Sequence, residues 1–268
     1  MSFVRSAVRR VLPKNLVLIY NGYQEKRLAR RNQRWTTEQV FTDIYLSGRW
    51  GGRPGTFCSG DGSHETSIVA PYVTAVTAEL VRIGAASMTA IDLGCGDYSV
   101  GRQLSSFCGK YIGVDIVKSL VAHNQATFGG HNVSFRQANI IEDAIPDGDV
   151  CFVRQVLQHL SNEQIAAVLP KLDKFRWCFI TEHHPSPGRL RQANQDKPHG
   201  DNIRVGSGSG VFLDAPPFNI PAARYDLLLE VPGIAPTDET DPGIIRTYVL
   251  KGNAWSDGGP PRSPNRAA

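Results

Sequence analysis

The sequence of this 268-residue chain is most informative about its fold in the stretch TAIDLGCGDYS, residues Thr89–Ser99. An apolar strand pattern ends here at two glycines, Gly94 and Gly96, that are separated by a single residue. Glycines directly after a strand allow the backbone to approach a ligand closely. The stretch therefore predicts a ligand-binding turn at the carboxyl end of a buried strand.

The polar residues around this turn argue against a dinucleotide as the ligand. Asp92 lies just before the turn, where its carboxylate would repel a pyrophosphate, and Ser99 stands at the position of the third glycine of a dinucleotide motif. In YIGVDI, Asp115 ends the next expected strand, where a carboxylate can accept both hydroxyls of a ribose. The two acids favour a ligand with an ammonium end and a ribose end, and S-adenosylmethionine has both.

Strand and helix patterns alternate along the chain, which predicts a parallel sheet with helices on both faces. Two β-rich segments near the end predict an antiparallel edge. The expected fold is α/β: a Rossmann-like, doubly wound, mainly parallel seven-stranded sheet with an antiparallel C-terminal edge. The expected strands are 88–93, 111–115, 133–135, 149–154, 176–182, 225–231 and 243–251, and the expected helices are 37–45, 66–84, 99–106, 117–126 and 161–172.

Four segments resemble successive motifs of class I S-adenosylmethionine-dependent methyltransferases. They are AIDLGCGDYSVGRQL, YIGVDIV, VSFRQANIIED and DVCFVRQVLQHLS, and the resemblance covers about residues 85–185. The upstream RWGG and GSHET and the downstream PPFNIP are similar to a bacterial branch of small-molecule and saccharide-pathway enzymes. The resemblance implies an enzyme that uses S-adenosylmethionine as its methyl donor.

The resemblance also implies which residues hold the cofactor. Asp92 and the 94–96 backbone would face its methionine end, Asp115 its ribose, and Asn139 its adenine amino group. The full implied set is Asp92, Gly94, Cys95, Gly96, Asp115, Ile116, Asn139, Ile140, Arg154 and Gln155.

Transfer to a hydroxyl requires that the acceptor be oriented and lose a proton. The segments after the fourth and fifth strands carry groups that can do this, and we predict His159, His183 and Glu182 as catalytic and His184 as substrate-binding. His159 has a structural alternative, because the cap-like Ser161 follows it.

A metal site formed by Glu182, His183, His184 and His199 is conceivable from the sequence. Their spacing matches no strong ligand pattern, and Arg154 would oppose a cation. The sequence therefore predicts no metal.

Two Gly-rich segments, 48–63 and 206–221, flank the expected cofactor core. We predict that they close over the ligand, with Trp50 and Phe218 as walls of the acceptor pocket. Trp50 could instead anchor the N-terminal helices, and the second segment could be a surface linker.

Composition is that of an ordinary globular protein, with 41% apolar and 20% charged residues. Five scattered cysteines without a C-x-x-C pair argue against a disulfide framework and favour a reducing, cytoplasmic location. No apolar run is long enough to predict a transmembrane segment.

Three regions are expected: a basic helical extension with a Gly-rich lid (1–65), the methyltransferase domain (66–253) and a disordered tail (254–268). The extension carries nine basic residues against the acid Glu25 before residue 35. These form either a solvated helical face or a docking surface for an anionic membrane, nucleic acid or protein partner. Nucleic acid is the weaker choice, because aromatic residues are not interleaved.

The preferred function is O-methylation of a sugar or other small polar acceptor. The alternatives are a methyltransferase for RNA or protein that docks through the basic extension, and a cofactor-binding scaffold without catalysis.

Overall fold

A single mixed sheet organises the computed structural model, which describes residues 23, 27–53, 56–234 and 241–251. Its strand order is β3-β2-β1-β4-β5-β7-β6. Neighbours among the first five strands pair in parallel, and β7 runs antiparallel to both β5 and β6. The strands are β1 (Thr89–Leu93), β2 (Lys110–Asp115), β3 (Val133–Gln137), β4 (Val150–Arg154), β5 (Trp177–His184), β6 (Tyr225–Pro232) and β7 (Ile244–Lys251).

Helices connect the strands and precede the sheet. Residues 27–32 are helical, and α1 begins after Thr36, whose side chain forms a capping box with Gln39. The α-helices are α1 (Thr37–Leu46), α2 (Asp61–His64), α3 (Thr66–Ile83), α4 (Gly101–Leu104), α5 (Lys118–Phe128) and α6 (Asn162–Val168). Short 3₁₀ turns lie at Ala85–Ser87, Ser105–Phe107, Leu157–His159, Leu169–Lys174, Val205–Ser207 and Ala222–Arg224.

Apolar residues fill both faces of the sheet. One core cluster includes Ile91 of β1, Val153 of β4 and Ile165 of α6, all fully buried. The other includes Phe152 and Phe179 with Val76 of α3. Successive residues of β4 thus point to opposite faces, as a strand covered on both sides requires.

The structure confirms the expected seven-stranded α/β fold, with the antiparallel edge at its C-terminal end. The main difference lies in β5, which continues to His184 instead of ending at residue 182. His183 and His184 pair with Ile245 and Ile244 of β7, so both histidines lie inside the sheet and not in a loop. The residues around 183 could not predict this pairing, because the partner strand lies about sixty residues further along the chain.

Within the described ranges, no helix is both long and apolar enough to cross a membrane. The expected disordered tail, 254–268, lies outside the described residues, as do residues 1–22 and 24–26 of the basic extension. The division of the chain at residues 65 and 253 stays a prediction.

Candidate active site

A cavity of about 1060 Å³, measured up to its open mouth, lies at the carboxyl ends of β1, β2 and β4. Here the strand order reverses, since β2 and β4 flank β1 on opposite sides. The cavity is open to solvent at its mouth, and the volume includes that open space. Every residue of the predicted cofactor set lines it, as do His159 and Trp50.

The turn after β1 forms the floor of the cavity. Gly94 and Gly96 have φ angles of 74° and 56°, in the left-handed region that favours glycine. A Cβ atom at Gly94 would collide with Val156, and one at Gly96 with the hydroxyl of Ser59. The two glycines therefore permit both the backbone conformation and the close approach of neighbouring segments.

Two buried carboxylates face this cavity from neighbouring strands. Asp115 is 7% exposed, and its two oxygens accept hydrogen bonds from the Gly96 and Val117 N–H groups at 3.1 and 3.0 Å. Burial raises the pKa of Asp115, and these backbone donors oppose the rise. Asp92 accepts a hydrogen bond from the Tyr111 hydroxyl, and burial raises its pKa to about 6. Both acids retain lone pairs for hydrogen-bond donors of a ligand.

Asn139 and two isoleucines form the far wall. The Asn139 side-chain oxygen accepts the Ile141 N–H at 3.1 Å, so the amide also caps its own turn. Ile116 and Ile140 contribute apolar surface to the same cavity. Such a wall suits a flat ring with a polar edge.

The segment 48–63, in its described parts, covers one side of the cavity, and we call it the lid segment. Ser59 and Asp97 exchange two hydrogen bonds of 2.8 Å, from the Ser59 N–H to the carboxylate and from the Asp97 N–H to the hydroxyl. Arg154 donates to the Gly62 carbonyl oxygen, and its guanidinium lies 4.8 Å from the centre of the Tyr72 ring. These contacts hold the lid segment against the glycine turn.

His159 also lines the cavity, next to Trp50 of the lid segment. Its Nδ1 lies 3.0 Å from the Gly200 carbonyl oxygen, which can only accept, so Nδ1 carries the proton and Nε2 has the lone pair. Burial and the nearby positive charge of Lys197 lower the pKa of His159 to about 3. The ring centre lies 5.1 Å from that of Trp50 and 6.5 Å from that of Phe41. The site thus contains a neutral imidazole beside an aromatic wall.

Glu182 and His183, predicted as catalytic, lie outside the cavity lining. The Glu182 carboxylate accepts the Leu157 and Gln158 N–H groups at 2.9 and 3.0 Å, and it supports the turn that carries His159. His183 makes a 2.7 Å hydrogen bond through Nε2 to the Pro242 carbonyl oxygen. Because their polar atoms are engaged within the fold, neither placement supports direct contact with an acceptor.

The predicted substrate-binding residues His184 and Phe218 are also outside the lining. His184 is fully buried, with its ring centre 4.8 Å from that of Phe212. Phe218 packs against the core cluster that contains Ile91. No residue of segment 206–221 lines the described cavity. Segment 206–221 instead packs beside Asn194, whose amide donates to the Phe212 and Pro216 carbonyl oxygens. Of the two segments predicted to cover the cavity, the lid segment alone does so in the described structure.

Several lining residues were not predicted from the sequence. Phe41 and Tyr45 come from α1, Tyr72 from α3, and Ser59 and Ser63 from the lid segment. Asp97 was within reach of sequence reasoning, because it directly follows the glycine turn.

Comparison with known proteins supports the same architecture. Residues 90–175 match a family model described as a methyltransferase domain. Magnesium protoporphyrin IX methyltransferase from Synechocystis PCC 6803, solved with bound S-adenosylhomocysteine (SAH), is 16% identical, with 80% of this chain and 98% of that chain covered and a TM-score of 0.50. Human N-acetylserotonin methyltransferase in complex with S-adenosylmethionine is 13% identical, with coverages of 81% and 60% and a TM-score of 0.48. No curated protein sequence matches this chain significantly.

The matched residues begin in β1 and run past α6, so they contain the glycine turn, both cavity acids and His159. The fold of the Synechocystis enzyme is shared over most of the chain. The chain therefore contains a methyltransferase domain over residues 90–175, and its seven-stranded sheet has the fold of the Synechocystis methyltransferase.

Proposed function

We propose that the protein transfers the methyl group of S-adenosylmethionine to a hydroxyl of a sugar or other small polar acceptor. The observation that carries the proposal is His159, a neutral imidazole that lines the same cavity as the buried acids Asp92 and Asp115. A proton acceptor at this place suits an acceptor that must lose a proton, as a hydroxyl does.

The cavity fits the cofactor on its acidic side. Asp115 would accept the ribose hydroxyls and Asp92 would face the ammonium group, with the 94–96 backbone close to the methionine end. Ile116 and Ile140 would enclose the adenine ring, with Asn139 at its polar edge. When bound there, the cofactor supplies an electrophilic methyl group on a sulfonium.

His159 would act on the acceptor through Nε2. Its Nδ1 proton is held by the Gly200 carbonyl oxygen, which fixes the ring. The Nε2 lone pair lies 3.4 Å from the Gln158 amide nitrogen, and an acceptor hydroxyl would take the place of this long contact. The acceptor hydroxyl becomes more acidic as its oxygen bonds to the methyl carbon. Even a weakly basic imidazole can therefore take the hydroxyl proton during transfer. The low pKa of about 3 keeps His159 neutral and ready to accept at neutral pH.

The aromatic wall favours a saccharide over a strongly charged acceptor. Trp50 and Phe41 lie with ring centres 5.8 Å apart and flank His159. Indole and phenyl faces stack on the apolar face of a sugar ring and cost little conformational entropy. Transfer also requires exclusion of water, which the lid segment provides through its hydrogen bonds to Asp97.

The test is methyl transfer from tritium-labelled cofactor into fractionated cell extract by the purified wild type and by His159→Gln. We expect label in low-molecular-mass or saccharide material, in a form that resists alkali as an ether does, and at least about 100-fold less with the variant. Label in RNA or protein, or equal label from both enzymes, would overturn the proposed acceptor class or the role of His159. Binding of SAH without any transfer would favour the scaffold alternative.

A further inference from the structure

A second cluster of chemically active side chains lies where the lid segment meets the glycine turn. The Cys58 thiol, the His64 Nε2 and the Asp97 carboxylate lie within 4.8 Å of one another. Cys58 is a free cysteine, and His64 Nε2 is 2.7 Å from Asp97 Oδ2. Asp97 also lines the cavity, whereas Cys58 and His64 do not.

The three groups differ in how freely they can move. The Asp97 carboxylate is held by the N–H groups of Ser59 at 2.8 Å and Ser99 at 3.0 Å, and its side chain is 10% exposed. His64 ends the short helix α2 with its side chain 45% exposed. Cys58 Sγ contacts the Trp50 carbonyl oxygen at 3.3 Å. One fixed carboxylate thus faces an exposed imidazole and a thiol with a single hydrogen-bond contact.

A thiolate, an imidazole and a carboxylate together are a typical donor set for Zn²⁺. We propose that Cys58, His64 and Asp97 bind one Zn²⁺ ion, with the fourth position open to solvent beside the exposed His64 ring. Bonds of about 2.0–2.3 Å in a tetrahedral site place the ligand atoms roughly 3.3–3.8 Å apart. The His64–Asp97 hydrogen bond would open slightly to admit the ion, and Cys58 would close toward it.

Proton balance follows from the chemistry of the ligands. The Cys58 thiol loses its proton to solvent when the Zn–S bond forms, and the His64 proton moves from Nε2 to Nδ1 without net release. Binding therefore releases one proton for each ion. The ion would join the lid segment to the glycine turn. Cys58 lies in the lid segment and His64 directly follows it, while Asp97 directly follows the glycine turn.

Cobalt binding to full-length, tag-free protein tests the site. Co²⁺ is the probe, because its bond to a thiolate gives a near-ultraviolet charge-transfer band. We expect a band that saturates at one ion per chain and disappears on addition of one equivalent of Zn²⁺. Calorimetry of Zn²⁺ binding in buffers of different ionisation enthalpy should report release of about one proton.

Variants assign the ligands. Cys58→Ser should abolish the band, and His64→Gln should weaken Zn²⁺ affinity by more than the roughly 10–100-fold that loss of a supporting group costs. Cys108→Ala and His131→Gln are the matched controls, because they change a cysteine and a histidine away from the cluster, and both should bind as the wild type does. His64 is exposed, so its variant tests the ligand without endangering the fold. A wild type without stoichiometric binding, or a band that survives in Cys58→Ser, would overturn the proposal.

Discussion

Asp92 makes cofactor binding dependent on pH. Burial raises its pKa to about 6 in the free protein, so the carboxyl is charged above that value and protonated below it. An ammonium group bound beside it favours the charged form, and binding below pH 6 must therefore release a proton. We predict that affinity for SAH is constant above about pH 7 and falls by up to about tenfold per pH unit below pH 6.

Adenosine, which lacks the ammonium group, should show no such dependence, and calorimetry between pH 5 and 8 measures both ligands. Asp92→Asn should bind SAH more weakly at every pH and lose the slope. A slope of equal size for adenosine would mean that Asp92 does not face the amino-acid end of the cofactor.

His159 and His183 differ in a way that separates a catalytic from a structural histidine. His159 lines the cavity, whereas His183 is hydrogen-bonded to the Pro242 carbonyl oxygen between the edge strands. We predict that His159→Gln lowers turnover at least about 100-fold with SAH affinity unchanged within threefold. His183→Gln should lower the melting temperature and leave turnover per folded molecule unchanged. The reverse pattern would restore His183 as the base.

The turn between β4 and α6 depends on β5 for its position. Glu182 of β5 accepts two backbone N–H groups of the 3₁₀ turn Leu157–His159. We predict that Glu182→Gln destabilises the protein by about 1–3 kcal/mol. Both carboxyl oxygens have lone pairs in either protonation state, whereas the amide nitrogen of Gln has none and would face one of the two N–H groups.

The pH dependence of this loss of stability tests the protonation state of Glu182. Burial raises the pKa of Glu182 to about 8, against an ordinary value of 4.5, so the folded form holds its proton where the unfolded form has released it. The stability that this proton contributes is complete below pH 4.5 and is lost as pH rises toward 8. The gap between wild type and Glu182→Gln, measured by urea unfolding, should therefore narrow from pH 5 to pH 9. A constant gap would show that Glu182 is ionised in the folded protein.

The lid segment combines a stabilising and a functional contact in Trp50. Its ring packs on Tyr45 with a centroid distance of 5.2 Å and also lines the cavity. Phe57 packs on the same tyrosine at 5.8 Å without lining the cavity, so it is a matched control. We predict that Trp50→Ala and Phe57→Ala both lower the melting temperature, but that only Trp50→Ala lowers turnover, by about tenfold or more. Equal turnover in the two variants would assign Trp50 to anchoring alone.

The sequence predicts those features of the molecule that depend on residues close together in the chain. Asp92, Gly94 and Asp115 sit in local patterns whose residue types identify both the fold and the cofactor. The environment of His184 is set by β7, about sixty residues away, so no local pattern marks it as buried. Phe41 reaches the cavity from α1 only through tertiary packing, and the sequence alone does not place that helix.

The charge of the whole molecule is concentrated at its beginning. Residues 1–26 carry five basic residues against Glu25, a formal +4 that equals the net charge of the entire chain. The rest of the chain is therefore formally neutral. Since cavity contacts in the described part of the chain begin at Thr37, we predict that deletion of residues 1–26 leaves SAH affinity unchanged within threefold.

The same deletion decides what the basic segment does. If it is a docking surface, the full chain should bind anionic phospholipid vesicles at about 0.02 M salt and release them at about 0.3 M, where charges are screened over a few ångströms. The shortened chain should then not bind at either salt concentration. Equal binding by both chains would remove the segment from any docking role, and loss of SAH affinity on deletion would place it at the cofactor site. If the full chain does not bind vesicles, the basic residues are better interpreted as a solvated helical face.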